Sequence, residues 1–250
     1  MTNEILYEDR VVFYFDILGF KNLVESNINN GNDCSSIFDV FELINKFYQD
    51  EIDERFSATK EITFFSDSII ISFVANEPDQ IFKTISDIQI LLVNLVLKGI
   101  VMRGAISYGK LHHSKKYIFG PAFNKVYKLE TQIAIYPRII CDYSILDLSQ
   151  KDETLISVLQ NLEIFKEIVK QDSYDKYMYI DYFKNLESIF DEGYNYVEYL
   201  LALRNLIIDN IEKSYCDRIK EKYIWMKEKF NEAVKNIVSN NYLEFVITLN

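Results

Sequence analysis

Two short apolar segments of this chain each enclose one aspartate, and this limits the possible folds more than any other sequence feature. Asp16 interrupts the run FYFDIL at residues 13–18, and Asp67 interrupts ITFFSDSIII at residues 62–71. Aromatic and β-branched residues at this density predict buried strands. A buried carboxylate is costly unless it is paired or binds a metal. We therefore expect the two aspartates to face one point from neighbouring strands, an arrangement suited to two-metal phosphoryl transfer.

A turn or capping role is the alternative for either aspartate alone, but it explains two such residues less well. Carboxylate oxygens without cysteine or histidine favour magnesium or manganese over zinc. The adjacent His112 and His113 have no cysteine or aspartate at ligand spacing, so we expect them to lie on a polar loop.

Composition excludes several functional classes. The 250 residues carry a formal net charge of −11, which argues against binding a nucleic-acid duplex through a basic surface. The three cysteines have no zinc or disulfide spacing. The polar N-terminus is not a signal peptide, and the apolar stretch at residues 88–97 is shorter than the ~20 residues of a membrane span. We expect a cytoplasmic protein without a membrane partner.

The order of apolar patterns predicts an α+β fold. The predicted elements are a strand at 11–18, helical pieces within 20–50 with a loop at 27–33, a hairpin at 59–74, a helix at 78–98, a strand at 100–111, a helix at 122–133 and a strand at 138–141. This order is that of a ferredoxin-like βαββαβ core with additions. Apolar residues spaced by three, four or seven after about residue 185 predict a long helix or a helical hairpin. We place the core at residues 1–150 and a mixed, then helical, extension at 151–250.

Three further residues are candidates for chemistry. Arg103 lies inside a predicted buried strand, where it needs an anionic partner, either an aspartate of this chain or a bound phosphate. Gly120 and Pro121 open a predicted helix whose N-terminus favours anions. Asn124 and Lys128 share one face of that helix, and on their own they are typical of a solvated surface.

In their chain order, four motifs resemble class III nucleotidyl cyclases, and among these the pyrimidine cyclases of Pycsar anti-phage defence. The motifs are FDILGF at 15–20, FSDS at 65–68, RGAI at 103–106 and FGPAFN at 119–124. The resemblance covers residues 11–142, and the segments at 177–183 and 222–227 are similar to the C-terminal extension of that group.

The resemblance implies a role for each matching residue. Asp16 and Asp67 match the metal-binding aspartates, and the backbone carbonyl of Ile17 matches a further ligand to two Mn²⁺ or Mg²⁺ ions per site. Arg103 matches a triphosphate contact and Asn124 the asparagine that orients the ribose. Lys128 stands where the family has a transition-state arginine, and a lysine cannot make the same planar fork.

Base recognition is the point at which the chain departs from purine cyclases. Thr63 and Tyr117 stand at the two base-reading positions, and neither the adenine-type nor the guanine-type residue pair is present. We assign Thr63, Tyr117, Phe20 and Gly19 to substrate binding.

The implied activity is that of a phosphorus–oxygen lyase. It converts UTP, favoured here over CTP, into the 3′,5′-cyclic monophosphate and pyrophosphate for anti-phage signalling. A homodimer with sites at the interface is also implied. The alternatives are a cyclase-like module that binds nucleotide or a partner protein without turnover, a purine cyclase, and a polymerase-palm or diguanylate-type enzyme.

Overall fold

A mixed α+β architecture is seen in a computed structural model, which describes residues 6–29, 31, 33–50, 59–75, 78–149, 163, 165–184, 186, 196–236 and 245–248. The strands are β1 Glu8–Ile17, β2 Glu61–Phe65, β3 Ser68–Val74, β4 Met102–His113, β5 Ile118–Phe119, β6 Ile139–Cys141, β7 Val169–Gln171 and β8 Met178–Ile180. The helices are α1 Phe20–Asn29, α2 Ser35–Asp50, α3 Pro78–Leu97, α4 Pro121–Gln132, α5 Tyr143–Ser149, α6 Tyr196–Lys213 and α7 Asp217–Asn236.

The central strand of the sheet is β1, which pairs antiparallel with β3 on one side and with β4 on the other. The order β2-β3-β1-β4 confirms the predicted ferredoxin-like core, because β1, the β2–β3 hairpin and β4 are joined through helices. The sheet continues through β6, β8 and β7, while β5 pairs with the end of β4.

Side chains of β1 alternate between two faces, as the period of a strand requires. Val11, Phe13, Phe15 and Ile17 are at most 2% exposed and belong to the main apolar core. The opposite face carries Asp16 and the residues two and four positions before it. The candidate site lies on this second face of β1.

The C-terminal region forms the predicted helical hairpin. Helices α6 and α7 pack against each other, and α6 also packs against α3 of the core. Because β8 pairs with β6, the sheet is continuous across the predicted domain boundary at residues 150/151, and that boundary stays a prediction. None of the described helices is both long and apolar enough to cross a bilayer.

The two adjacent histidines do not lie on a loop, and this part of the sequence analysis was wrong. His112 and His113 are the last residues of β4, and they pair with β5. His113 is only 5% exposed. The apolar pattern ends at Leu111, so the additional strand pairing was not visible in the sequence.

A largely buried chain of hydrogen bonds runs from Arg10 through Ser72 and His113 to Thr63. The Nε of Arg10 donates to Ser72 Oγ (2.9 Å), which lies 2.8 Å from His113 Nδ1. His113 Nε2 lies 2.9 Å from Thr63 Oγ1. Because a hydroxyl can donate or accept, both ring nitrogens of the neutral imidazole have a hydrogen-bond partner in either tautomer.

This network predicts acid sensitivity of the fold. Burial, and then the positive charges of Arg10 and His112, lower the pKa of His113 from 6.5 to about 4. Between these two values the unfolded chain binds a proton that the folded chain does not, so the free energy of unfolding falls as the pH drops. From pH 7 to pH 5 we expect His113 to account for a loss of up to about 2 kcal/mol.

Urea denaturation of the wild type and of His113→Gln at both pH values measures this contribution. The variant should lose less stability than the wild type over the same interval. Equal losses in the two proteins would show that His113 does not carry the effect.

Candidate active site

Strand pairing places Asp16 between two polar residues. In the register of the sheet, Asp16 stands opposite Ser68 of β3 on one side and opposite Arg103 of β4 on the other. Gly104 allows this close pairing, because a Cβ atom on it would lie 2.2 Å from the carbonyl oxygen of Tyr14. The small residue after Arg103 thus lets β4 lie directly against β1.

Asp67 reaches the same point from the β2–β3 turn. Its carbonyl oxygen accepts a hydrogen bond from the backbone N–H of Ile17 (3.1 Å), so the turn is fixed to the end of β1. Ser66 adopts a left-handed φ of 57°, which is uncommon for a residue other than glycine. Such backbone positions persist where the surrounding structure enforces them, often at functional sites.

Arg103 is held by two carboxylates. Its Nε donates to Asp16 Oδ2 at 2.8 Å, and its Nη2 lies 2.9 Å from Glu130 Oε1. The sequence analysis anticipated an aspartate partner for Arg103 but missed Glu130. Ala122, Val126 and Glu130 are the buried residues of α4, and their spacing of four is a signal that could have identified an inward-facing glutamate.

The charges at this point repel one another in the absence of a cation. Burial raises the pKa of Asp16, Arg103 opposes that rise, and the neighbouring Asp67 raises the pKa further. Burial likewise raises the pKa of Glu130. Arg103 lowers this pKa, and both aspartates raise it further. Arg103 thus lies among three carboxylates, with Lys222 also lowering the pKa of Glu130, and a divalent cation between the aspartates would relieve the remaining repulsion.

The donor set fits a hard cation such as Mg²⁺ or Mn²⁺. Within the parts of the chain that the structure describes, no three His, Cys, Asp or Glu side chains form a metal cluster. Asp16 and Asp67 are neighbouring carboxylates that could hold such a cation between them. Magnesium is commonly bound by one or two carboxylates, with water and substrate phosphates completing its shell.

Helix α4 presents opposite faces to the interior and to solvent. Glu130 points inward and is 3% exposed, whereas Asn124 and Lys128 are exposed. Positions 128 and 130 are about 200° apart around a helix, so Lys128 points away from Arg103. Across the described residues, neither Asn124 nor Lys128 makes a side-chain hydrogen bond or an ion pair with another group.

The start and inner face of α4 are fixed by close contacts. Gly120 has a φ of 145°, and a Cβ atom on it would lie 2.7 Å from the carbonyl oxygen of Lys110. The ring of Tyr14 makes edge-on contacts with Phe123 (6.0 Å) and Tyr127 (5.8 Å). The structure thus brings Asp16, Asp67 and Arg103 together, and it holds Asn124 and Lys128 on a different surface of the same chain.

The predicted substrate-binding residues lie on three parts of the core and differ in exposure, and their role stays a prediction. Thr63 of β2 pairs with Ile70 of β3, which in turn pairs with Tyr14 of β1. The hydroxyl oxygen of Thr63 lies 2.9 Å from His113 Nε2. Tyr117 is 65% exposed in the short β4–β5 connection, next to the residue that pairs with His113. Gly19 and Phe20 follow β1 directly, where α1 begins.

The C-terminal extension is fixed beside Arg103. The backbone carbonyl of Arg138 accepts a hydrogen bond from the backbone N–H of Gly104 (3.0 Å). The buried guanidinium of Arg138 donates to Asp172 (2.9 Å) and to Asp175. Asp172 also accepts a hydrogen bond from the indole of Trp225 on α7 (2.9 Å).

Lys222 lies one helical turn before Trp225 on α7 and was not a candidate in the sequence analysis. Burial lowers its pKa, as do Arg103 and Arg218, whereas Asp16 and Glu130 raise it. The extension therefore places a lysine close enough to interact electrostatically with Asp16 and Glu130.

Comparison with known proteins yields structural likenesses alone. No protein-family model and no curated protein matches the chain. A bacterial light-regulated adenylyl cyclase has 16% identity over 80% of this chain and 98% of that chain, with a TM-score of 0.43. The guanylyl cyclase domain of a RhoGC fusion protein from the aquatic fungus Blastocladiella emersonii has 13% identity over 69% and 94% of the two chains, with a TM-score of 0.41.

A class III adenylyl cyclase-like ATP-binding protein from Pseudomonas aeruginosa has 11% identity over 88% of this chain and 43% of that chain, with a TM-score of 0.40. At such low identities and TM-scores these likenesses carry no argument about activity.

Charge repulsion between the aspartates predicts opposite effects with and without metal. Asp67→Asn removes a carboxylate that raises the pKa of Asp16, so the melting temperature of the metal-free protein should stay the same or rise. Mn²⁺ at 100 times its dissociation constant should stabilise the wild type by about 2.7 kcal/mol, and the variant by much less.

Thermal denaturation with and without Mn²⁺ tests this prediction, and Asp39→Asn on the exposed surface of α2 is the matched control. The two-aspartate metal site would be refuted if Mn²⁺ raised the melting temperature of Asp67→Asn as much as that of the control.

Proposed function

We propose that this protein is a nucleotidyl cyclase that converts UTP or CTP into the 3′,5′-cyclic monophosphate and pyrophosphate. The observation that carries the proposal is the meeting of Asp16, Asp67 and Arg103 at the ends of three neighbouring strands. Two carboxylates and a guanidinium within one small, half-buried region fit the opposite charges of divalent cations and a triphosphate.

Each of the proposed site residues has a distinct part in the reaction. Asp16, Asp67 and the carbonyl of Ile17 would hold two Mn²⁺ or Mg²⁺ ions, which would promote ionisation of the ribose 3′-hydroxyl and neutralise the triphosphate. Arg103 would bind phosphate oxygens through guanidinium donors that Asp16 and Glu130 leave unused. The 3′-oxygen gives its proton to solvent water and forms a bond to the α-phosphorus, while the bond from that phosphorus to the leaving pyrophosphate breaks.

Residues on the outer face of α4 complete the site in a second copy of the chain. Asn124 and Lys128 point away from Arg103 of their own chain and are exposed. In a homodimer with two-fold symmetry this face of each α4 meets the aspartates of the partner subunit. Asn124 then orients the ribose, and the positive charge of Lys128 stabilises the negative charge that develops on the phosphates in the transition state.

The pyrimidine part of the proposal rests on Thr63 and Tyr117, which stand where purine cyclases carry an adenine-type or guanine-type residue pair. The Thr63 hydroxyl can donate to the O4 of uracil or accept from the amino group of cytosine, so both bases fit it, and we keep UTP as the first candidate. We extend the proposal to second-messenger synthesis in anti-phage defence on the basis of the motif resemblance.

A second candidate function is nucleotide binding without turnover. Its support is Lys128, which offers a point charge where a planar guanidinium would give two parallel hydrogen bonds. A purine cyclase is the remaining alternative, and the products decide among the three.

Incubation of the purified protein with equal concentrations of the four ribonucleoside triphosphates and Mn²⁺ tests the proposal. Mass spectrometry should detect cyclic UMP as the main product, with cyclic CMP next, and Asp67→Asn should form neither. Preference for ATP or GTP would contradict the pyrimidine assignment but not the cyclase. Nucleotide binding without any cyclic product would support the second candidate.

A further inference from the structure

Asp16 and Glu130 contact different nitrogens of the Arg103 guanidinium. An arginine commonly binds a carboxylate through two parallel hydrogen bonds, with two nitrogens facing both oxygens. In this protein Nε donates to Asp16 Oδ2 at 2.8 Å, and Nη2 lies 2.9 Å from Glu130 Oε1. The nitrogen that could complete a side-on bidentate pair with Asp16 is thus the one that faces Glu130.

A bidentate pair would interfere with metal binding. If both oxygens of Asp16 were bound to Arg103, a cation would have to break a charge-assisted pair before it could bind. We infer that Glu130 is a positioning residue, which holds Arg103 away from the second oxygen of Asp16 and keeps that oxygen available to a divalent cation. This inference rests on the proposed metal-dependent function.

The burial of Glu130 supports a specific role. It shares the inner face of α4 with Ala122 and Val126, where an apolar side chain would pack without a desolvation cost. Its Oε1 is buried and, in the described part of the chain, lacks a well-aligned hydrogen bond, so the ion pair with Arg103 is its close contact. A buried carboxylate whose charge is balanced by Arg103 and the nearby Lys222 is expensive for helix packing alone.

Direct measurement of Mn²⁺ binding to the full chain tests this inference without requiring turnover. Electron paramagnetic resonance of free Mn²⁺ gives the dissociation constant. Residues that orient a metal ligand commonly change metal affinity by 10–100-fold, so Glu130→Gln should weaken Mn²⁺ binding by about tenfold. Glu198→Gln, an exposed change on α6, should leave the affinity unchanged.

A double-mutant cycle separates positioning from the simple loss of negative charge. In an Arg103→Met background there is no guanidinium to hold, so adding Glu130→Gln should change Mn²⁺ affinity by less than about twofold. A pure charge effect would weaken binding equally in both backgrounds, and that result would overturn the inference. Glu130→Asp keeps the charge but withdraws it from Nη2, so it should weaken binding even if Glu130→Gln fails to fold.

The outcomes distinguish this inference from the proposed function. If the wild type does not bind Mn²⁺, the metal-dependent cyclase is wrong. If the wild type binds Mn²⁺ and both folded Glu130 variants bind it equally well, the cyclase proposal stands and the role of Glu130 is wrong.

Discussion

The ion pair between Arg103 and Asp16 is the interaction on which the rest of the site depends. It crosses the β1–β4 pairing at a distance of 2.8 Å, and both side chains are largely buried. Removal of one member of such a pair leaves the other charge without compensation, which costs more than the intact pair contributes. The pair is accompanied by a close approach of the two strands at Gly104 and by a second carboxylate, Glu130, beside Nη2 of Arg103.

Helix α4 connects this interaction to the outside of the molecule. Glu130 on its inner face forms an ion pair with Arg103, while Asn124 and Lys128 lie on its outer face. A helix fixed by a buried ion pair on one side can present side chains on the other side in a defined orientation. In the proposed dimer, the same helix serves its own metal site through Glu130 and the partner's site through Asn124 and Lys128.

Much of the core could be predicted from sequence because its signals are local. Asp16 and Asp67 stand out within strand-forming runs, and Gly99 and Gly120 delimit the helices on either side of β4. Glu130 was missed because a single glutamate on an amphipathic helix is typical of a solvated face, and its partner lies 27 residues earlier in the chain.

Two other features depend on tertiary contacts that leave little trace in the sequence. Strands β7 and β8 have three residues each, which is too short for an alternating pattern to be recognised. The position of α7 follows from Arg138, Asp172 and Trp225, which are far apart in the chain and meet only in the folded protein. The approach of Lys222 to the site is a consequence of that docking.

The central claim is that one active site is built from two copies of this chain, and subunit mixing tests it most directly. A heterodimer of Asp16→Ala and Lys128→Ala chains has one site with both lesions and one site with neither. The account predicts that each variant alone is impaired and that each heterodimer regains about half of the wild-type cyclase activity. Absence of recovery, with heterodimers demonstrated by differently tagged chains, would contradict a site shared between subunits.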